Sequence, residues 1–243
     1  MSDKSIIGLS RLVALRHQVD KIARNIANQS TTGFKSEGLQ FREYLTEASE
    51  DLFPSSPMRS LVSVEEYTDF SNGPLKATGN SSDVAVVGEA FFVVRTADGE
   101  RYTRRGSFTV DQNGRLVTLA GEPVMAQTGE LRIPQEDGPL SIGADGTVLT
   151  AKGTIGQLRL VRFDDLRQLS RVSGGSFLSL NPAIDIPANE IRLVVGALEG
   201  SNVKPVPEMS KLIAASRAYD HVAKTVFREE DNDELKKLSG EDL

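Results

Sequence analysis

The sequence predicts an α+β protein in which one amphipathic helix at each end brackets a central, mainly antiparallel β domain. Two observations lead to this prediction. Apolar residues near both termini recur at spacings of three and four, as on one face of an α-helix. Residues 71–200 instead hold short β-rich runs separated by turn pairs. A length of 243 residues with 39% apolar content is enough to fill an ordinary core.

The N-terminal helix is predicted over about residues 5–28. Its apolar stripe consists of Leu12, Leu15, Val19, Ile22 and Ile26. The opposite face is charged, as expected for a helix that buries one side, and carries Arg16, Asp20 and Arg24. The helix is predicted to stop at residues 30–33, where three poor helix formers precede Gly33, a residue able to take the left-handed conformation that closes helices.

A second helix is predicted to begin near Pro207, because proline is tolerated at a first helical position. Its stripe consists of Met209, Leu212, Ser216, Tyr219, Ala223 and Val226. The chain after Phe227 is acidic and poor in apolar residues, which predicts a solvated or frayed end. Residues 1–37 hold six basic and three acidic residues (net +3), whereas residues 206–243 hold six basic and nine acidic residues (net −3). The two ends are therefore complementary in sign.

The pattern alone leaves the partner of these two stripes open. Each helix can pack on the central domain of its own chain, or the two helices can pair with each other. Two or three heptads are too few to specify a coiled coil from sequence, so both interpretations stand at this point.

The β domain is predicted from β-rich runs at residues 84–87, 91–94, 107–110, 157–163 and 191–195. Four pairs supply the positive φ angles that tight hairpins require, namely Asn72-Gly73, Asp98-Gly99, Asn113-Gly114 and Asp145-Gly146. Residues 38–70 contain Pro54 and Pro57 and lack clean periodicity. We interpret them as an extended connector with room for one strand.

Composition argues against several classes of function. The chain has no cysteine, which excludes disulfides, thiolate nucleophiles and Cys-based zinc sites. With 28 basic against 34 acidic residues and no basic run interleaved with aromatics, nucleic acid is not an expected partner. The N-terminus lacks an unbroken apolar h-region and the chain lacks a run of about 18 apolar residues, so we expect neither a cleavable signal nor membrane insertion.

No catalytic, metal or cofactor site is predicted. The two histidines, His17 and His221, fall in the terminal helices, away from any relay. Adjacent carboxylates such as Glu65-Glu66 and Asp164-Asp165 point to different sides of a strand, whereas acid–base catalysis needs two groups that converge. Residues 111–114 resemble the start of a calcium loop, but Glu122 at its twelfth position comes only after Gly121 and a strand-like stretch at 115–119, so we interpret them as a hairpin turn. Neither nucleotide-binding glycine motif occurs.

Four blocks, in order along the chain, resemble the signatures of the flagellar basal-body rod protein family, part of the wider group of rod and hook proteins. The first is Asn25-Ile-Ala-Asn28-Gln-Ser-Thr31-Thr-Gly33-Phe34-Lys35. The second runs from Pro74 to Val94 and the third from Tyr102 to Val117. The fourth combines Ser201-Asn202-Val203 with Glu208-Met209 and Arg217-Ala218-Tyr219. The resemblance covers nearly the whole chain.

The resemblance implies that the two terminal helices pair as a coiled-coil-like core layer of a tubular assembly, with the β domain outside it. The implied domains are residues 1–37, a connector at 38–70, the β domain at 71–200 and the second helix region at 201–243. The implied assembly interface combines the two apolar stripes with the motif residues Asn25, Asn28, Thr31, Gly33 and Phe34.

The family is structural, so the resemblance implies a rod subunit without cofactor rather than an enzyme. Its implied partners are copies of itself, distal-rod subunits, other proximal-rod subunits and the flagellar export apparatus. The implied location is the periplasmic basal body, reached without signal cleavage. About 40 residues separate Phe34 from Pro74, and this short separation favours the proximal-rod member over the distal-rod member. Ala90, where a glycine is common, and the acidic C-terminal end depart from the family pattern.

Two alternatives stay open from the sequence. One is a distal-rod or hook-related subunit, and the other is a rod-associated peptidoglycan hydrolase that uses carboxylates of the β domain. Gly33 is interpreted as needing its backbone conformation, and Gly79 as a replaceable turn residue. Phe91 and Phe92 are interpreted as core. Phe34, outside both regular regions, is interpreted as a contact with a neighbouring subunit.

Overall fold

The structure is a computed structural model that describes residues 3–46, 59–134 and 137–239. The chain forms two compact units. The helical unit consists of Met1–Ala27, Glu37–Tyr67 and Lys204–Leu243, and the β unit consists of Asn28–Ser36 and Thr68–Val203. The predicted α+β class, with a helix at each end and a β-rich centre, is confirmed.

Two long helices dominate the helical unit, α1 at Asp3–Ala27 and α2 at Pro205–Ser239. They run antiparallel, because Asn25 Nδ2 lies 3.1 Å from Glu208 Oε2 while Gly8, near the other end of α1, packs against Val226. A Cβ atom on Gly8 would stand 2.5 Å from Val226 Cγ2. Glycine at this position therefore lets the two helices approach closely.

Helix α2 is longer than the sequence predicts. It starts at Pro205 rather than Pro207, and its backbone stays helical through Ser239, where the sequence predicts a solvated or frayed end after Phe227. Glutamate, leucine and lysine are frequent in this last segment, and all three are good helix formers. A polar composition therefore does not mark the end of the helix here.

The segment interpreted as a connector contains two strands where the sequence predicts one. They are β1 at Glu37–Thr46 and β2 at Arg59–Thr68, and they pair in a two-stranded sheet. Aromatic and β-branched residues in both stretches favour strands even though their alternation is imperfect. Pro54 and Pro57 lie outside the described residues.

The β unit is built from short strands. They are β3 Leu75–Ala77, β4 Val84–Val86, β5 Phe91–Thr96, β6 Gly99–Thr103, β7 Phe108–Val110, β8 Leu116–Thr118, β9 Met125–Ala126, β10 Gly129–Glu130, β11 Ser141–Ile142, β12 Thr147–Thr150, β13 Gly153–Gln157, β14 Leu160–Arg162, β15 Leu169–Arg171, β16 Ser176–Ser179, β17 Ile184–Asp185, β18 Leu193–Val195 and β19 Ala197–Glu199. The largest sheet has the order β15-β16-β6-β5-β14-β17. The pairings described within this unit are antiparallel, which confirms the prediction.

Strand β5 is buried on both of its faces. Phe92 and Val94 belong to one hydrophobic cluster, while Phe91 and Val93 belong to a second one. Because side chains alternate between the faces of a strand, an unbroken apolar run is what a doubly covered strand requires. The interpretation of Phe91 and Phe92 as core is correct, and Phe91 packs edge-on against Phe163 with 5.7 Å between ring centroids.

Three of the four predicted turn pairs close hairpins. Gly99, Gly114 and Gly146 have φ angles of 123°, 75° and 83°; Gly99 is the first residue of β6, and the other two lie in the β7–β8 and β11–β12 connections. The 111–114 segment is a turn, because the Asp111 carboxylate accepts hydrogen bonds from the backbone N–H groups of Asn113 and Arg115 at 2.8 Å each. These bonds lower the pKa of Asp111, the Arg115 N–H contributing most.

Asn72-Gly73, the fourth pair, does not form a hairpin. Gly73 lies in the loop before β3 without a positive φ, and a Cβ atom there would stand 2.0 Å from the carbonyl oxygen of Gly200. Glycine is required by the close approach of two backbone segments rather than by a turn. An Asn-Gly pair looks the same in sequence whether its glycine is needed for a hairpin turn or for the close approach of two backbone segments.

Replacing Gly73 with alanine is expected to destabilise the β unit by about 3 kcal/mol, because the methyl group collides with a backbone atom that cannot rotate away. Gly79 is the matched control, since it has a φ of 73° but nothing within 4 Å of its Cβ position. Gly79→Ala is expected to cost about 1 kcal/mol from the left-handed backbone alone. Urea unfolding followed by circular dichroism measures both losses, and equal losses would contradict the argument.

Candidate assembly site

The predicted stripe of α1 faces the interior of the helical unit. Leu12 and Ile22 are 7% and 6% exposed. The other stripe residues, Leu15, Val19 and Ile26, are half-buried, and the opposite-face residues Arg16, Asp20 and Arg24 are exposed as predicted. The stripe therefore packs the helical unit itself, in keeping with its three-four spacing.

The buried face of α2 lies beside the predicted stripe. Val226 is buried and Leu212, Ser216, Tyr219 and Ala223 are half-buried, but Met209 is 56% exposed. The sequence missed two buried positions, Glu208 and Ala215. Residues 208, 212, 215 and 219 follow the helical repeat, which leaves Met209 about 100° around the helix from Glu208. A search for apolar spacing cannot find Glu208, because polar contacts rather than apolar packing accompany its burial.

Asn25 fastens α1 to the start of β1 and to α2. Its Oδ1 accepts the Glu37 N–H at 2.9 Å, while its Nδ2 donates to the Glu37 carbonyl at 2.8 Å and to Glu208 Oε2 at 3.1 Å. One amide side chain thus satisfies both main-chain groups of Glu37, as a neighbouring strand would. This requires a donor and an acceptor on the same short side chain, which explains asparagine at this motif position.

A charge network surrounds Glu37 within the helical unit. Lys21 Nζ lies 2.8 Å from Glu37 Oε2 and 2.8 Å from Glu66 Oε2, so one ammonium group bridges β1 and β2. Partial burial acts to lower the pKa of Lys21, but the hydrogen bonds and charges of the two carboxylates outweigh it and raise the pKa above its usual value. Arg24 Nη1 adds a longer contact of 3.6 Å to Glu37.

The motif segment, residues Asn28–Ser36, belongs to the β unit. It begins with a turn in which the Asn28 carbonyl accepts the Thr31 N–H at 3.1 Å, and Asn28 Oδ1 accepts the Thr31 hydroxyl at 3.1 Å. Gly33 follows with a φ of 65° and donates its N–H to the Glu199 carbonyl at 2.7 Å. A Cβ atom on Gly33 would stand 2.9 Å from backbone atoms of Arg104 and Arg105.

The geometry accounts for the two glycines singled out in the sequence. Gly33 needs glycine for its backbone conformation and for space, as predicted. Gly79 also has a positive φ, 73°, so it too favours glycine, although its surroundings are open. The interpretation of Gly79 as freely replaceable is therefore too permissive.

Phe34 is enclosed by its own chain. Its ring is 4% exposed and lies beneath the guanidinium of Arg171, whose Cζ is 4.5 Å from the ring centroid. Arg171 also lies over Phe177 at 5.0 Å and donates to the carbonyl of Lys35. Phe34 anchors the motif segment in the β unit, and in this conformation it offers no surface to a neighbouring subunit.

A buried ion cluster holds the motif segment against the rest of the β unit. The side chains of Lys35 and Glu199 are each 1% exposed, with Nζ 2.7 Å from Oε1. Arg104 Nε donates to Glu199 Oε2 at 3.1 Å, and the Gly73 N–H donates to Oε1 at 3.0 Å. Both carboxylate oxygens are thereby satisfied by groups from three distant parts of the chain.

The cations of this cluster are also bonded on their other sides. Lys35 Nζ donates to the Ser71 carbonyl at 2.8 Å, and Arg104 donates to Asn72 Oδ1 at 2.8 Å and to the carbonyls of Gly88 and Ala90. Burial lowers the pKa of Lys35, although the hydrogen bond and charge of Glu199 act to raise it. Removing two cations and an anion from water is tolerated because nearly every donor has an acceptor.

Asn202 completes the attachment of the motif segment. Its Oδ1 accepts the Ser36 N–H at 2.7 Å, and its Nδ2 donates to the Asp69 carbonyl at 2.8 Å. The first and last family-like blocks of the sequence therefore meet in the β unit.

Two exposed apolar patches lie on the outer faces of the helices. The α1 patch consists of Leu9 and Val13, which are four residues apart, and the α2 patch consists of Val206, Met209 and Ile213. Each of these side chains is at least half exposed. Exposed apolar groups at helical spacing are typical of surfaces that another helix covers.

His17 and His221 are exposed on the helices, as predicted. Within residues 3–46, 59–134 and 137–239, no group of three or more His, Asp or Glu side chains is placed to hold a metal ion. Neither helix contains a stretch long and apolar enough to cross a membrane.

Comparison with known proteins identifies the family of the chain. A family model described as the flagellar hook protein FlgE/F/G D1 domain matches residues 85–150, and one described as the flagellar basal body rod FlgEFG protein C-terminal matches residues 194–234. The flagellar basal-body rod protein FlgF of Caulobacter vibrioides is 39% identical, over 92% of this chain and 92% of that protein. The chain belongs to the flagellar basal-body rod protein family.

Other relatives carry the same family name. FlgF of Escherichia coli is 33% identical over 86% of this chain and 87% of that protein. FlgG of Buchnera aphidicola (subsp. Schizaphis graminum) is 33% identical over 90% of this chain and 93% of that protein. These likenesses confirm the predicted resemblance to a FlgF-like rod protein and the interpretation as a structural subunit of the basal-body rod. The family is structural, which argues against the wall-hydrolase alternative.

Glu199→Gln is expected to reduce the free energy of unfolding of this rod protein by about 3–5 kcal/mol, because it leaves Lys35 and Arg104 buried without a countercharge. The matched control is Glu130→Gln, which removes a carboxylate lying 3.8 Å from Arg95 in a partly exposed pair. That variant is expected to change stability by about 1 kcal/mol or less. Urea unfolding at neutral pH provides the comparison, and a small loss in Glu199→Gln would show that the cluster is not a stabilising unit.

Proposed function

We propose that the chain is a subunit of the proximal rod, in which α1 and α2 of many copies form a coiled-coil-like core layer and the β unit faces outward. In this role the protein transmits torque through packed helices and catalyses no reaction. We further propose that it works in the periplasm, reaches it through the flagellar export apparatus without signal cleavage, and contacts other rod subunits.

The observation that carries this proposal is the pair of outer patches. The helices bury their inner faces against each other, yet Leu9 and Val13 on α1 and Met209 and Ile213 on α2 remain exposed. A helix pair that is apolar on both sides gains stability when neighbouring helices cover it. Different patches on the two helices favour head-to-tail contacts, which build open helical tubes rather than closed rings.

The patches also refine the interface predicted from sequence. The stripe residues Leu12, Ile22 and Val226 are buried, and Asn25, Gly33 and Phe34 are enclosed, so they act by shaping each subunit. Met209 is the stripe residue best placed to touch a neighbour. We propose that contacts between subunits centre on the α1 patch and the α2 patch.

Met209→Asp is expected to abolish rod assembly and motility in cells that rely on this chain, because it places a charge in the proposed contact. Met209→Leu is the matched control and is expected to keep motility, since it preserves an apolar side chain of similar volume. Met209 is 56% exposed, so both variants should keep the free energy of unfolding within about 0.5 kcal/mol. Normal motility with Met209→Asp would refute a role of this patch in assembly.

The position of the chain along the rod tests the finer assignment. Labelling of a tagged, functional chain in isolated basal bodies should mark the membrane-proximal end of the rod. A distal label would instead favour the distal-rod alternative, which the FlgG relatives keep under consideration. Absence of the chain from purified basal bodies would refute both assignments.

A further inference from the structure

Arg105 is a half-buried cation beside the motif segment. Its guanidinium forms no hydrogen bond or salt bridge with any residue that the structure describes, and its Nε is buried without an acceptor. Its neighbour Arg104 differs sharply, because every side of that guanidinium is bonded. An arginine that is partly removed from water without a hydrogen-bonded anion is costly, so its position calls for a partner.

Two glycines leave the space that the Arg105 side chain occupies. A Cβ atom on Gly33 would stand 3.0 Å from Arg105 Cγ, and one on Gly175 would stand 2.6 Å from Arg105 Cζ. Gly174 and Gly175 both have positive φ angles, 78° and 75°, and lie in the β15–β16 turn. Burial lowers the pKa of Arg105, and the charge of Glu122 acts in the opposite direction.

Several cations lie in or against the motif segment beside Arg105, while Glu122 is the carboxylate whose charge acts on Arg105. Lys35, Arg104 and Arg171 all contact the motif segment or belong to it, whereas Glu199 is the carboxylate bonded to two of them. A partner for Arg105 should therefore be anionic. A carboxylate suits a guanidinium best, because the two planar groups can form charge-assisted hydrogen bonds.

The chain itself contains a matching acidic segment. Residues 229–234 hold five acidic residues, Glu229, Glu230, Asp231, Asp233 and Glu234, and lie in α2. At a rise of 1.5 Å per residue, this acidic segment lies roughly 35–45 Å along α2 from Pro205. It is a compact block of negative charge toward the C-terminal end of a long helix.

We infer that Arg105 and the β15–β16 turn form a docking site for the acidic segment, residues 229–234, of a second copy of this chain. The inference rests on the proposed function, in which copies repeat along a tube. Charge complementarity selects the partner. Because the two surfaces lie at different points of the chain, each copy donates one segment and receives another, and the contact is head-to-tail.

Photocrosslinking in isolated basal bodies tests this contact. A photoreactive amino acid at Ser30, an exposed position of the motif segment, is expected to give a product with the mass of two chains. Peptide mapping should locate the second attachment within residues 225–239. The same photoreactive group at Leu119, which is 79% exposed on another turn of the β unit, is expected to give no product with that segment.

Charge variants test whether the Ser30 product depends on Arg105 or only on two chains lying near each other. Arg105→Gln is expected to reduce the Ser30 product roughly tenfold, the effect of losing about 1.4 kcal/mol of binding energy. Arg132→Gln, which removes an exposed arginine of the same unit, should leave the yield unchanged. Circular dichroism should show unaltered folding for both.

The outcomes distinguish this inference from the function it rests on. A product within one chain, a product with a different segment, or a yield that Arg105→Gln does not change would overturn the docking site. Basal bodies that contain the chain but give no Ser30 product would overturn it as well, while leaving the rod assignment intact. A chain missing from basal bodies would overturn the proposed function and the docking site together.

Discussion

The carboxylate of Glu199 lies between two buried cations, and the arrangement of the β unit around the motif segment depends on it. Lys35 comes from the motif segment and Arg104 from the end of β6, while Glu199 itself ends β19. None of these charges is tolerable alone in the interior, since each would lack both water and a partner. The three residues therefore bring segments that are far apart in sequence into one junction, and Gly33 and Gly73 leave the space that the junction needs.

The helical unit solves a related problem with an amide instead of charges. The chain leaves α1 at Ala27 and returns to this unit at Glu37, where Asn25 bonds both main-chain groups of the returning residue. A backbone segment that re-enters a packed unit must have its N–H and C=O groups satisfied. In both units, polar side chains fix where the chain enters and leaves, while the apolar stripes and strands supply the bulk of the burial.

The contrast between local apolar patterns and long-range polar contacts explains which features the sequence predicts. The helices, the hairpins at Gly99, Gly114 and Gly146, and the doubly buried β5 follow from local periodicity and turn chemistry. Residues 35 and 199 are 164 positions apart, so no local pattern pairs Lys35 with Glu199, and their charges resemble those of any surface residue. For a similar reason, Glu208 is buried where exposure is expected, and Met209 is exposed where burial is expected. Hydrophobic periodicity cannot anticipate that Asn25 bonds Glu208 and that the neighbouring methionine is left outside.

The small size of the outer patches has a physical consequence for assembly. Full burial of one large apolar side chain contributes about 1.5–3 kcal/mol, whereas association costs on the order of 4–15 kcal/mol in lost translational and rotational freedom. Full burial of both residues of the α1 patch by one neighbour would contribute about 3–6 kcal/mol, near the low end of that cost. We therefore expect a subunit with the two-residue and three-residue patches seen here to associate only weakly with a single copy. In the proposed tube several neighbours cover both patches at once, so the summed burial is larger relative to the cost of immobilising the subunit.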